Sequence, residues 1–150
     1  VSSGYSSTMT LELVKLLKKF NINIDFFNLC IVKPLNTDEI LNSVKKTGKI
    51  IIIDSGHKIL GIGSEIMSRI LEKNIKLKSK PLRIGLPDNP TPSSRAFVKN
   101  IYINRQNLFR KICDQIKINK LIQKKIVNII KMEDSKIPVD IPNPKFKGPF

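Results

Sequence analysis

The reading of this chain turns on residues 49–71, KIIIIDSGHKILGIGSEIMSRIL. Four isoleucines, Ile50 to Ile53, run into Asp54. Branched residues in series suit a central strand covered on both faces, as in a parallel sheet. A short glycine-bearing turn follows and holds His57, the single histidine. From about Gly61 the positions Ile62, Ile66, Met67, Ile70 and Leu71 fall at helical spacing and predict a helix. Strand, turn and helix in that order put the turn where open α/β sheets hold ligands or partners.

Toward the N-terminus, Val1–Ser3 reads as the end of a first strand, Gly4 as a turn, and Ser6 or Ser7 as a helix cap. Met9, Leu13, Leu16, Leu17 and Phe20 then form an apolar stripe that Asn21 stops. Alternation over Ile22–Val32 predicts a second strand, closed by Pro34, which cannot donate to a ladder. Asn36 with Glu39 resembles a capping box ahead of a short helix through Ile40, Leu41 and Val44, ended by Gly48. Toward the C-terminus, Leu82–Leu86 predicts a fourth strand and PDNPTPSS (87–94) a proline-rich turn. Asn104–Met132 reads as helix, with a drift of phase marking a break near Lys117–Asn119. Residues 133–150 have no periodicity and read as an extended arm.

Strands alternating with helices imply βαβ units with right-handed crossovers. The expected fold is α/β: three layers, α/β/α, around a mixed, mostly parallel sheet of four to five strands. The expected divisions are an α/β domain over 1–103, a helical extension over 104–132 and the arm over 133–150.

At 150 residues the chain suffices for one domain with a real core. No run nears the roughly 18–20 apolar residues of a membrane helix, so no membrane partner is expected. A start at Val1, in a clipped strand, is expected of a piece of a longer polypeptide. The net charge of +15 invites a nucleic-acid partner, which makes a basic α/β binding module the alternative to weigh. Yet Ile, Lys and Asn make up 60 of the 150 residues, the trio that AT-rich codons encode. Arginine, the better residue for bidentate phosphate contacts, numbers 5 against 22 lysines. The charge therefore reads as codon bias on a solvated surface. Cys30 and Cys113 stand in apolar contexts without metal spacing and read as buried free thiols in a reducing cytoplasm.

Gly61-Ile62-Gly63 suggests a dinucleotide fingerprint, but Ile66 stands where a third glycine is required. The glycines are better explained by a tight turn and close helix–sheet packing. His57 has no triad or metal partners in view and reads as a structural or interface residue. Asp54 suits loop capping or a hydrogen bond to His57, and Glu65 complements the positive end of the helix dipole. These residues describe a domain without a self-contained active site.

The order VSSGYS, DFFNLCIVKPLNTDEILNSVKKTGKIIIIDSGHKILGIGSEI and PDNPTPSSRAF resembles the transketolase C-terminal domain. The likeness is to the version in beta subunits of thiamine-diphosphate-dependent 2-oxo acid dehydrogenases and related transketolase-like enzymes. It rests on Asn28-Leu29-Cys30, Lys33-Pro34-Leu35 with Asp38, and Ser43 to Gly48. Asp54, His57, Gly61, Gly63 and Glu65 follow, then Pro87, Asp88, Pro90 and Pro92. It departs at Leu60, where the family has glycine, at Ser55, where it has a second acid, and in a longer tail from Ile118. The resemblance implies that thiamine diphosphate and Mg²⁺ are bound by other domains of the full-length enzyme. It implies partners in those domains and in a second subunit, as a homodimer or an alpha/beta heterotetramer, with an acyltransferase core as a further partner. No catalytic, cofactor-binding or metal residue maps onto this piece, which is expected to be inactive alone. Asp54, His57, Gly61, Gly63 and Glu65 become candidates for a subunit interface or active-site rim.

Overall fold

The isoleucine strand runs further than its isoleucines. The computed structural model describes residues 1–90, 94 and 101–135. Strands β1 (Ser2–Ser3), β2 (Asn28–Leu29), β3 (Ile51–His57) and β4 (Leu82–Leu86) form one sheet in the order β2-β1-β3-β4. Every described pairing is parallel, so the mixed character expected of the sheet is absent among the described residues. Helices α1 (Tyr5–Lys18), α2 (Asp38–Thr47), α3 (Ile62–Glu72), α4 (Arg105–Ile116) and α5 (Lys120–Asp134) complete the described elements. A parallel four-stranded sheet with five helices is the makeup of a three-layer α/β fold.

Two compact units share the chain: Val1–Ser7 with Asp25–Ile103, and Thr8–Ile24 with Asn104–Phe150. In the first, Ile50 and Ile52 pack with Ile40, Leu41 and Val44 of α2 and Ile66 and Ile70 of α3. Ile52 and Ile53, on opposite faces of β3, are each 2% exposed, as a strand covered on both faces requires. In the second unit the buried set includes Leu13 and Leu17 of α1, Leu108, Phe109 and Ile112 of α4, and Ile126 and Ile130 of α5. Arg105 ties its three helices together. The guanidinium pairs with Glu12 at 3.0 Å, with Glu133, and with Asp134 at 3.5 Å.

Three local expectations change. The strand expected over Ile22–Val32 is a ladder only at Asn28–Leu29. Its neighbour β1 offers two residues, so registers Ser2↔Asn28 and Ser3↔Leu29 exhaust the pairing. Ile22 is instead tied to the end of α1 through the Leu17 carbonyl at 3.1 Å, and Ile31 and Val32 stand exposed. The capping box at Asn36 is an Asx turn, in which the Asn36 side chain accepts from the Asp38 N–H at 3.0 Å and Thr37 precedes the helix. Finally, β3 does not end at Asp54. Its register steps from Ile53↔Ile84 to His57↔Leu86, four residues against two, so the glycine turn lies inside a bulged strand.

The break expected within 104–132 is present. Lys117 closes α4 at φ +50°, and Asn119 opens α5 by accepting from the Leu121 N–H at 2.8 Å. The proline-rich turn beyond Pro90, save Ser94, and the arm beyond Ser135 lie outside the described residues.

Candidate functional site

The bulge shapes the C-terminal end of β3. Half-buried Asp54 turns its carboxylate back, accepting from the Ser3 hydroxyl at 3.0 Å and from the Gly56 N–H at 3.1 Å. It thereby closes the loop and joins β1 to β3. Of the two roles open to Asp54, loop capping is the one seen, and His57 takes another partner. The His57 Nδ1–H donates to the Pro87 carbonyl at 2.8 Å, which fixes the tautomer and leaves Nε2 as the acceptor. The Lys58 N–H donates to the Leu86 carbonyl at 3.0 Å, and the Arg83 guanidinium donates to the Lys58 carbonyl. The segment after β3 is thus stapled to β4 and to the residue that follows it.

From there the chain must reverse into α3 within three residues. Leu60 takes the left-handed conformation at φ +54° with its side chain 97% exposed. At Gly61 a Cβ would lie 2.5 Å from the His57 carbonyl oxygen, closer than any side chain permits. At Gly63 it would stand 3.1 Å from Ile52 Cγ2, so the first turn of α3 rests on the sheet where side chains would hold it off. The first of these glycines serves the turn and the second serves packing.

Asp54, His57, Lys58, Gly61, Gly63 and Arg83 line a small cleft over Ile52 and Ile84. Four of the five sequence-derived candidates therefore meet. Glu65 does not line the cleft. It pairs with Arg69 at 2.7 Å, and Arg69 in turn donates to the Leu35 carbonyl at 2.8 Å and to the Thr37 hydroxyl at 3.3 Å. That chain of bonds anchors α3 to the segment entering α2. Arg83 and Lys58 escaped the sequence reading. The signal for Arg83 was present: a charged residue within the apolar run Leu82–Leu86 needs a polar outlet.

Chemically the cleft offers donors from Lys58 and Arg83, an imidazole and one carboxylate already engaged. Its usable space, about 10 Å³, has room for roughly one water, far less than a small-molecule site needs. Mg²⁺ wants several oxygens in octahedral array, and among the described residues no three of His, Cys, Asp and Glu come together. The residues present do not fit thiamine diphosphate or its metal. The thiol expectations divide: Cys113 is buried, and Cys30 is exposed beside Asn28. Cys30 follows the last paired residue of β2, where no further ladder covers it. No described helix is long and apolar enough to cross a membrane.

Residues 1–108 match the family described as transketolase, C-terminal domain. The pyruvate dehydrogenase E1 component subunit beta of Rickettsia bellii is 33% identical over 76 residues, covering 51% of this chain and 23% of that protein. The mitochondrial subunit of the same name from Chaetomium thermophilum is 37% identical over 76 residues, covering 50% and 20%. That from Dictyostelium discoideum is 29% identical over 108 residues, covering 70% and 30%. The matched segment is thus a minor part of each relative.

Proposed function

Because the chain belongs to the transketolase C-terminal domain family, we propose that it is the assembly domain of a thiamine-diphosphate-dependent 2-oxo acid dehydrogenase beta subunit of the pyruvate dehydrogenase type. One observation carries the reading: relatives named as that subunit match it over 20–30% of their length, as one domain of a larger protein would. Residues 1–103 form the assembly domain, 104–132 a helical extension and 133–150 an arm. The domain's partners are the remaining domains of the enzyme and a second subunit, in a homodimer or alpha/beta heterotetramer, with an acyltransferase core as a further contact. The cytoplasm is the proposed compartment, with mitochondria, named for two of these relatives, as the alternative.

Asp54, His57, Gly61, Gly63 and Glu65 serve the interface or active-site rim in two ways. Gly61 lets the chain turn into α3 and Gly63 seats that helix against the sheet, while Glu65 holds Arg69 on the approach to α2. Asp54 fixes the bulge, so that His57 presents Nε2 beside Lys58. Thiamine diphosphate, with Mg²⁺, supplies the chemistry of the full enzyme from its other domains, acting as electron sink. The purified 150-residue chain should decarboxylate no pyruvate when given thiamine diphosphate and Mg²⁺, and should self-associate in sedimentation-velocity runs as its concentration rises. Turnover by the chain alone would place the active site within it. A strict monomer at every concentration would remove the interface role.

A further inference from the structure

The second unit sorts its charges. Its described acids are Glu12, Asp114, Glu133 and Asp134, and three of them converge on Arg105, whose side chain is only 11% exposed. The lysines of α5 turn outward. Lys120, Lys124, Lys125 and Lys131 are all exposed, and none of them pairs with an acid among the described residues. With eleven lysines and arginines against these four acids, the described part of the unit is strongly basic even though Asp114, Glu133 and Asp134 keep contact with solvent.

That surface has a pattern on α5. Leu121, Lys124, Lys125, Asn128, Lys131 and Met132 recur at steps of three and four and share one side of the helix. Leu121 and Met132, each 68% exposed, mark its two ends. Eleven residues part them, about 16 Å at the helical rise of roughly 1.5 Å per residue. They are not the packing side of α5, which is carried by fully buried Ile126 and Ile130.

We propose that this face docks an acidic protein segment, with carboxylates over Lys124, Lys125 and Lys131 and one apolar side chain on each of Leu121 and Met132. Charge complementarity selects that occupant. The chain's own residues 136–150 carry three lysines against one aspartate and are repelled. A second copy sets lysine against lysine. Nucleic acid would favour arginine, which α5 lacks, and leaves the two apolar ends idle. A lipid surface needs a continuous apolar side, and the one this helix has is buried.

Fluorescence anisotropy on the whole chain tests the proposal. The probe is a labelled helical peptide of glutamates bearing two leucines eleven residues apart. Its comparators are the same peptide with serines for leucines, a DNA duplex, and phosphatidylglycerol vesicles. At physiological salt the leucine peptide should bind about five-fold tighter than the serine peptide and tighter than DNA or vesicles. Lys124→Glu with Lys125→Glu should weaken it about tenfold, since rim charges set attraction and register. Leu121→Ser with Met132→Ser should bring the two peptides level. All four positions are exposed, and unchanged circular dichroism and melting confirm that the variants fold. Equal affinity for both peptides on the parent chain, binding unmoved by the charge reversal, or tighter binding of DNA or vesicles would overturn the proposal.

Discussion

At Leu60 the backbone takes a conformation that disfavours an L side chain by about 1–2 kcal/mol, and the side chain, 97% exposed, recovers little by contact. Leu60→Gly should relieve that strain, against the extra freedom glycine gives the unfolded chain. The expected net gain is up to about 1 kcal/mol, read as a rise in Tm of a few degrees. A fall in Tm would mean that Leu60 is held by contacts of its own. Its neighbour behaves oppositely. Gly61→Ala brings a methyl against the His57 carbonyl oxygen and should cost about 2–3 kcal/mol in urea unfolding. The cysteines differ as sharply. Burial pushes the Cys113 thiol up to about 11, whereas Cys30 stands exposed. At pH 8 iodoacetamide should modify Cys30 readily and Cys113 about 100-fold more slowly until denaturant is added. A thiol held neutral by the fold stabilises it below the ordinary value of 9.0, and that contribution is lost as pH rises through about 11. Comparable labelling of both thiols in the native chain would contradict the burial of Cys113.

Among the elements, the contact between Gly63 and Ile52 decides how closely α3 approaches β3. Gly63→Val should lower Tm and weaken self-association together, because a branched side chain wedges the helix off the sheet. Unchanged melting and dimer affinity would refute this account of the glycine. Elements with a long period were legible in advance: the stripe Met9–Leu13–Leu16–Leu17 of α1, the helix α3, and even the break at Lys117–Asn119, where phase drifts before a capping asparagine. Two elements were not. Alternation over Ile22–Val32 signals extended backbone, but a ladder also needs a partner, and the shortness of β1 is a fact about another part of the chain. The bulge in β3 was equally hidden, since Asp54 capping Gly56 and bonding Ser3 depends on residues 51 positions apart. Hence the site was legible as residue types, and its grouping was not. Glu65 carries the right spacing for the cleft and spends it on Arg69.

For the whole chain, Arg105 is the residue on which the second unit depends. Burial alone would weaken its hold on the proton, and Glu133, Asp134 and Glu12 more than offset that, so its pKa is raised. Arg105→Ala should destabilise the unit by about 3 kcal/mol, because it strands three carboxylates together. Asp134 is affected in the opposite sense. Burial raises its pKa despite Arg105, so the fold favours the neutral acid and loses stability as pH climbs through that titration. Asp134→Asn should therefore raise Tm at neutral pH, with the gain vanishing in acid where both side chains are uncharged. A gain that persists in acid would point to packing instead. The discontinuity of this unit has a temporal side. Leu13 and Leu17 are synthesised well ahead of the helices that share their unit, which follow only after roughly eighty further residues. At about 5–20 residues per second that is a wait of some 4–16 seconds. During it, α1 lacks the helices that bury its apolar side in the finished unit and is open to chaperones.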